Sequence, residues 1–130
     1  MQYNPFPQPI SEEIWDRKYK LETPNPDIAD DLSVSDTWRR IANSCADAEI
    51  TLTGDKTGYQ ITDVSRDNWR QRFYLALEDF KFLPAGRITA GAGSGRAVTL
   101  FNCYVMGTIG DDLDSIFTNL KEAALTMQQG

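Results

Sequence analysis

The spacing of apolar residues along the chain predicts four helices and one strand. In the second predicted helix, which Ser33 or Ser35 would cap, apolar residues recur three and four positions apart, as on one helix face. The third helix starts at Ser65, and the last covers about 112–128. The apolar positions are Trp38, Ile41, Ala42, Cys45 and Ala48 in the second helix, Trp69, Phe73, Ala76, Leu77 and Phe80 in the third, and Leu113, Ile116, Phe117, Leu120, Ala124 and Met127 in the last.

The predicted strand covers about 97–106, the only long run of β-forming residues, and it carries Cys103 near its middle. Glycines at 107 and 110 end this run, and the last helix follows at once. Asp111 and Asp112 stand where that helix needs an N-cap. The order is therefore strand, turn and helix, with a thiol and a polar asparagine, Asn102, on the strand.

Three regions organise the chain. Residues 1–10 form an extended, proline-rich arm. Residues 11–88 form a helical region whose first helix, capped by Ser11, runs to about residue 21 and whose segment 82–88 is an apolar turn. Residues 89–130 hold a Gly-rich loop, the strand and the last helix. Between the second and third helices, a short hairpin of Ile50–Leu52 with Tyr59–Ile61 is possible.

The Gly-rich segment 90–96 has two interpretations. Glycines allow backbone amides to approach a phosphate closely, but a phosphate loop should follow a strand and open a helix, and the P-loop type carries a lysine. This segment leads into a strand and has no lysine. The pattern favours a flexible connector over a phosphate site.

Composition and charge exclude several kinds of chemistry. The net charge of −6 and the lack of a basic cluster argue against a nucleic acid or an anionic membrane as partner. The sequence has no membrane span and no signal peptide pattern, which predicts a cytoplasmic protein. Without histidine, and with two distant cysteines, it has no Cys-His pair and no metal site.

The two cysteines differ in their surroundings. Cys45 lies on the apolar face of the second helix, which favours a small buried hydrophobe over a redox group. Cys103 lies on the strand, beside Asn102. Of the two thiols, Cys103 is the better candidate for chemistry.

Four blocks of sequence in the same order resemble the N-terminal portion of adenosylcobalamin-dependent (class II) ribonucleotide reductases. The blocks are 36–40 (DTWRR), 79–88 (DFKFLPAGRI), 98–109 (VTLFNCYVMGTI), and 116–117 with 120–130 (IF, LKEAALTMQQG). The resemblance implies a mainly α (α+β) fold, in which a helical N-terminal region leads into the first strand and first helix of a ten-stranded α/β barrel. The remainder of that barrel is absent from this chain.

The resemblance also implies roles for particular residues. Cys103 would be one of two redox-active cysteines that reduce the ribonucleotide substrate and become a disulfide, which a thioredoxin-type reductant restores. Asn102, Ala85 and Gly86 would approach the substrate, and Asp111 would help to bind a nucleotide effector, although it could also be an N-cap alone. By strand alternation, the face turned into the barrel would carry Thr99, Phe101, Cys103 and Val105.

Adenosylcobalamin, the second cysteine and the radical cysteine would belong to the remainder of the reductase polypeptide. We therefore expect a shortened chain or one product of a split gene, inactive alone, with a possible homodimer through the last helix. The alternative is a stand-alone helical interaction or dimerisation module, in which that helix binds a partner and Cys103 is only structural.

Overall fold

A computed structural model describes residues 4–53 and 63–129 of the chain, and in these residues the protein is helical. No β-strand forms among them, so the prediction of a mainly α N-terminal region is confirmed, while the barrel stays a prediction. None of the described helices is long and apolar enough to cross a membrane. The helices are α1 (Pro9–Lys18), α2 (Val34–Thr53), α3 (Asp63–Leu77), α4 (Gly86–Gly91) and α5 (Leu113–Gln129), with a 3₁₀ turn at Glu78–Phe80.

The start of α1 differs from the predicted one. Gln8 precedes the helix in an extended conformation, no side chain caps it, and Pro9 is its first residue. Proline suits this position because its missing N–H would have no helical partner there and its φ angle is already helical. The cap predicted at Ser11 is therefore wrong, and the extended arm ends at Gln8.

The start of α2 agrees with one of the two predicted caps. Ser33 directly precedes the helix, and its backbone N–H and hydroxyl donate to the Asp36 carboxylate at 2.9 and 2.8 Å. The Leu32 N–H donates to the same carboxylate at 3.2 Å. An acidic side chain that reaches back from the first turn in this way satisfies amides with no helical partner.

The far end of α2 overturns part of another prediction. The helix continues to Thr53, so the possible strand at Ile50–Leu52 is wrong. The second half of that hairpin, Tyr59–Ile61, lies outside the described residues. Helix α2 therefore runs beyond the point at which the hairpin prediction ended it.

The core forms where α2 packs against α3. Val34, Trp38, Ile41, Ala42, Leu77 and Ala92 are buried together, with Phe73 and Phe80 against them. Half-buried Cys45 also packs on this core, as predicted, but Ala48 faces solvent and Ala46 is buried instead. The predicted face of α3 is correct at Leu77 and Phe73 and wrong at Trp69 and Ala76, which are exposed.

Phe80 reaches the core by a route that helical spacing does not describe. Helix α3 ends at Leu77, and Asp79 and Phe80 both have φ of 57°, in the left-handed region that side chains rarely adopt. This turn brings the Phe80 ring edge-on against Trp38, with ring centroids 5.3 Å apart. The packing of Phe80 against Trp38 therefore stabilises a turn that contains two left-handed residues.

Helix α4 replaces parts of the predicted apolar turn and Gly-rich loop. It begins at Gly86, inside the segment predicted as a turn, and ends at Gly91. The turn after it needs glycine at Gly93, where φ is +71° and a Cβ atom would lie 2.8 Å from Cγ of Arg40. The connector is therefore a short helix followed by a tight, specific turn.

The strand predicted over 97–106 does not form in this structure. Residues 95–110 have no helix or strand, and Val105 is fully exposed. A strand needs backbone partners on a neighbouring strand, and the described residues supply none. The last predicted helix is confirmed as α5, close to its predicted bounds.

Two leucines of α3 test this description of the core. Leu77 is 5% exposed and Leu75 is 46% exposed. We expect Leu77→Ala to lower the free energy of unfolding by about 2–5 kcal/mol, because it leaves a cavity beside Trp38. Leu75→Ala, the matched control in the same helix, should cost less than about 1 kcal/mol. Urea denaturation measures both, and equal losses would contradict the described core.

Candidate functional site

Cys103 and Asn102 lie in the irregular segment between α4 and α5. Both are exposed, and the Cys103 thiol is free. Beside them, Thr99 and Tyr104 share a hydrogen bond between their hydroxyls, and the rings of Phe101 and Tyr104 meet edge-on at 6.5 Å. The segment therefore has local order around the thiol without a sheet.

The predicted inward face of this segment does not form. Phe101 is 70% exposed, and Cys103 and Val105 are exposed as well. Alternate side chains of a strand face a barrel interior only when other strands close the barrel around them. The assignment of an inward face to these residues is therefore not realised in the described part of the chain.

Ala85 and Gly86 open α4. The Ala85 carbonyl accepts hydrogen bonds from the backbone N–H groups of Ile88 and Thr89 at 2.9 and 3.1 Å. Gly86 lies against Tyr19, so that an added Cβ would be 3.4 Å from the tyrosine hydroxyl oxygen. The start of α4 therefore lies against Tyr19 at the end of α1.

An open, largely apolar cleft of about 490 Å³ lies beside Gly86. Trp15, Trp38 and Phe80 contribute aromatic walls, while Asn102, Cys103 and Asp111 do not line it. The structure therefore brings one predicted substrate-side residue, Gly86, to this cleft and leaves the thiol segment elsewhere.

Asp112, and not Asp111, caps α5. The Ser115 N–H donates to the Asp112 carboxylate at 2.8 Å, and the Ser115 hydroxyl accepts from the Gly110 N–H at 2.7 Å. Asp111 is exposed beside this cap. The N-cap interpretation of Asp111 is wrong, and its role toward a nucleotide effector stays a prediction.

A buried ion pair that the sequence analysis missed joins most of the helical region. Asp31 and Arg40 are 2.9 Å apart, and their side chains are only 2% and 7% exposed. The Asp31 carboxylate also accepts from the Leu21 N–H at 3.0 Å and from the Thr37 hydroxyl at 2.7 Å. The Trp15 indole N–H donates to Thr37 at 2.9 Å and so extends the network into α1.

The Arg40 guanidinium also donates hydrogen bonds to three backbone carbonyls. It donates to Ala92 at 2.6 Å, to Thr89 at 3.1 Å and to Tyr19 at 3.2 Å. These contacts connect α2 with the end of α1, with α4 and with the turn that follows α4. We call Asp31, Thr37 and Arg40 the buried polar centre.

Little in the sequence pointed to this centre. Asp31 lies in an acidic stretch that reads as a linker, and Arg40 follows Arg39 in what reads as a short basic run. The only available signal was the position of Thr37 and Arg40, three residues apart and next to the apolar face of α2. A charged side chain buried there requires an oppositely charged partner, but the sequence pattern does not indicate that this partner is Asp31.

The two thiols have different chemical environments. Burial raises the pKa of the Cys45 thiol, and the nearby Glu49 carboxylate raises it further. Cys103 is exposed, so a reagent reaches it directly. Among the described residues, no group of three or more Cys, Asp or Glu side chains could hold a metal ion.

The residues that follow the buried polar centre in the sequence expose many large apolar side chains. Phe101, Val105 and Ile109 expose most of their side chains in the irregular segment. On α5 the exposed apolar residues are Leu113, Ile116, Phe117, Leu120, Leu125 and Met127. Large exposed apolar side chains in this number are typical of a surface that another protein, or another part of the same protein, covers.

Comparison with known proteins places this helical arrangement in a family. The family model described as "Ribonucleotide reductase, all-alpha domain" matches residues 5–97, which include α1 to α4 and the buried polar centre. Because the match covers more than half of the chain, the chain belongs to the ribonucleotide reductase family and carries its all-α N-terminal domain. Searches of the curated proteins and of the solved structures found no match.

Membership of this family supports several of the coarser predictions. The chain is a segment of a ribonucleotide reductase, an oxidoreductase, and the rest of that enzyme is its implied partner. The matched residues end at 97, before Asn102, Cys103 and Asp111. The roles of these three residues therefore rest on the motif resemblance alone.

The buried polar centre yields a stability prediction. Asp31→Ala leaves the Arg40 charge buried without its partner, so we expect a loss of about 3–5 kcal/mol in the free energy of unfolding. Glu13→Ala is the control, because it breaks the exposed Glu13–Arg17 pair of α1, which should cost at most about 1 kcal/mol. Chemical denaturation that gave similar values for both variants would contradict the assignment.

The thiols yield a second prediction. At neutral pH, iodoacetamide should modify Cys103 well before Cys45, because the raised pKa leaves Cys45 more protonated and its half-buried position limits access. Peptide mapping by mass spectrometry after timed quenching measures both rates. The difference should narrow as the pH rises, and equal rates at neutral pH would count against the described environments.

Proposed function

We propose that the chain is the N-terminal segment of an adenosylcobalamin-dependent, class II ribonucleotide reductase, and that Cys103 is one of its two reducing cysteines. The observation that carries the proposal is the family match over residues 5–97, continued by the class II-like block at 98–109. The substrate is a ribonucleotide and the product a deoxyribonucleotide. The chain alone is inactive in this proposal, because the other cysteines belong to the rest of the enzyme.

The proposed redox step needs two thiols. Together they supply two electrons and two protons to the ribonucleotide, whose hydroxyl group leaves as water, and they become a disulfide. A thioredoxin-type dithiol then reduces that disulfide again. The exposed, free Cys103 suits this role, whereas Cys45 packs on the core of α2 and α3 and is a poor partner.

Other residues take supporting roles in this proposal. Ala85 and Gly86 would present backbone groups to the substrate from the start of α4, and Asn102 would contact it beside the thiol. Asp111 would help to bind the nucleotide effector at a subunit interface. The exposed position of Asp111 beside the α5 cap leaves its carboxylate accessible for that purpose.

Adenosylcobalamin is assigned to parts of the enzyme outside this chain. The cleft of about 490 Å³ has the size of a site for a drug-sized ligand, and a corrin ring with its axial groups is larger. The described residues therefore do not fit the cofactor. No step of the proposed reaction passes through a cofactor site in this chain.

The exposed apolar surface favours an assembled enzyme. The irregular segment and α5 would be covered by the remaining barrel and, at α5, by a second subunit in a homodimer. The same exposure also fits a second candidate, a stand-alone helical interaction module without catalysis. The two differ in whether a reductase polypeptide continues or complements this chain.

Reconstitution with the downstream polypeptide tests the main proposal. The reunited enzyme should reduce ribonucleotides only when adenosylcobalamin is added, and Cys103→Ser should abolish repeated turnover with a thioredoxin-type reductant, since the disulfide could not form. Cys45→Ser is the matched control and should keep most of the activity. Full turnover by Cys103→Ser would refute the assignment of that thiol.

The intact mass of the protein from its native source, together with the reading frame beyond Gly130, separates the two candidates. A continuing or split reductase gene supports the main proposal. A natural stop with no complementing gene supports the interaction module.

A further inference from the structure

Helix α4 depends on Arg40 for its position. A helix of six residues gains too little from its own hydrogen bonds to be stable alone, and its last carbonyls lack helical donors. Arg40 supplies such donors, with one guanidinium nitrogen 3.1 Å from the Thr89 carbonyl and another 2.6 Å from the carbonyl of Ala92. A single side chain of α2 therefore holds both the last turn of α4 and the residue after it.

The guanidinium is itself fixed in orientation. Its Nε atom lies 3.2 and 3.3 Å from the two Asp31 carboxylate oxygens, and one of its terminal nitrogens lies 2.9 Å from Oδ2. Asp31 is in turn held by Leu21 and Thr37. Because a guanidinium is planar and rigid, fixing one edge of it fixes the directions of the donors on the other edge.

Both ends of α4 lead to residues of the proposed active site. Its first residue is Gly86, which follows Ala85. Its last residue is Gly91, where an added Cβ would lie 3.0 Å from Leu100 and 3.2 Å from Val98, so the chain that leads to Cys103 folds back onto the end of α4. A displacement of α4 would therefore move the substrate-side backbone and the approach to the thiol together.

We propose that Arg40, oriented by Asp31, is a positioning residue of the reductase that sets the place of α4 and, through it, of Ala85 and Gly86 at the substrate. This inference rests on the proposed function, because it uses the substrate-side role of those two residues. It adds a residue that touches no substrate but controls the geometry of those that do. The structural part of the proposal, the placement of α4 by Arg40, can be tested on this chain without the rest of the reductase.

Lysine is the informative substitution at Arg40. Arg40→Lys keeps the positive charge next to Asp31, but a single ammonium group cannot reach Asp31, Tyr19, Thr89 and Ala92 with the geometry of the guanidinium. The core contacts of α2 with α3 should stay unchanged, because Arg40 is not part of that core. Arg39→Lys is the matched control, since Arg39 is the neighbouring residue of α2 and its side chain is 61% exposed.

The first measurement follows α4 without any activity. Spin labels at Ala48→Cys on α2 and Arg87→Cys on α4, in a Cys45→Ala, Cys103→Ser background, report the distance between the two helices by pulsed electron paramagnetic resonance. Arg40→Lys should shift and broaden this distance distribution, while Arg39→Lys leaves it unchanged and circular dichroism shows equal helix content. A folded Arg40→Lys protein with an unchanged distribution would overturn the inference.

A second variant decides the matter if Arg40→Lys does not fold. Gly93→Ala keeps the ion pair, but its Cβ would lie 2.8 Å from Cγ and 3.0 Å from the backbone oxygen of Arg40, at a φ of +71°. It should therefore move the turn after α4 away from Arg40 and change the same distance. A folded Gly93→Ala protein with an unchanged distribution would overturn the inference as well.

The second measurement is kinetic and uses the reunited reductase. Arg40→Lys should raise KM for the ribonucleotide by about tenfold, with a smaller fall in kcat, because misplaced binding groups weaken substrate binding. Loss of stability alone would lower the amount of active enzyme and leave KM unchanged. An unchanged KM in an enzyme whose α4 has moved would refute the positioning role but not the proposed function.

The two measurements separate the two claims. If the unsubstituted reunited protein reduces no ribonucleotide, the proposed function fails, whatever the distance measurement shows. If that protein is active and Arg40→Lys changes neither the distance nor KM, only the inference about Arg40 fails.

Discussion

The buried ion pair between Asp31 and Arg40 is the interaction on which the rest of this structure depends. Two opposite charges in an apolar interior need hydrogen-bond partners, and here every nitrogen of the Arg40 guanidinium and both oxygens of the Asp31 carboxylate have one, supplied by four separate segments. The pair therefore specifies an arrangement more than it adds net stability. The apolar core of α2 and α3 supplies most of the burial, and the ion pair determines where α1 and α4 attach to it.

The surface beyond this core has a different character. Residues 95–110 and α5 expose large apolar side chains and carry the thiol proposed for catalysis, whereas the residues of the family's all-α domain form the packed part. In the proposed function, the thiol of this segment acts together with residues that belong to the rest of the reductase. An exposed apolar surface next to a packed helical domain is the arrangement expected of one segment of a larger enzyme.

Predictions from the sequence are confirmed where local pattern and final environment agree. The apolar face of α2 from Trp38 to Cys45 and the approximate bounds of α5 followed from apolar spacing, and Ser33 was one of two predicted caps. The predictions are wrong at α1, where Pro9 starts the helix without a side-chain cap, and at α4, whose glycines suggested a loop. The predicted site was limited in the same way, because motif resemblance selected Cys103 and Gly86 but could not place them relative to each other.

By itself, the sequence determined most of the core-facing positions of α2, that the chain has no histidine for any chemistry, and that the chain resembles a ribonucleotide reductase. Only the tertiary structure decided that Arg40 is buried against Asp31 and that the six residues Gly86–Gly91 form a helix. It also decided that the run of β-forming residues around Cys103 stays irregular. The reason is physical. Helix periodicity is a property of neighbouring residues, whereas a buried charge, a very short helix and a strand each depend on partners that lie far away in the chain or outside it.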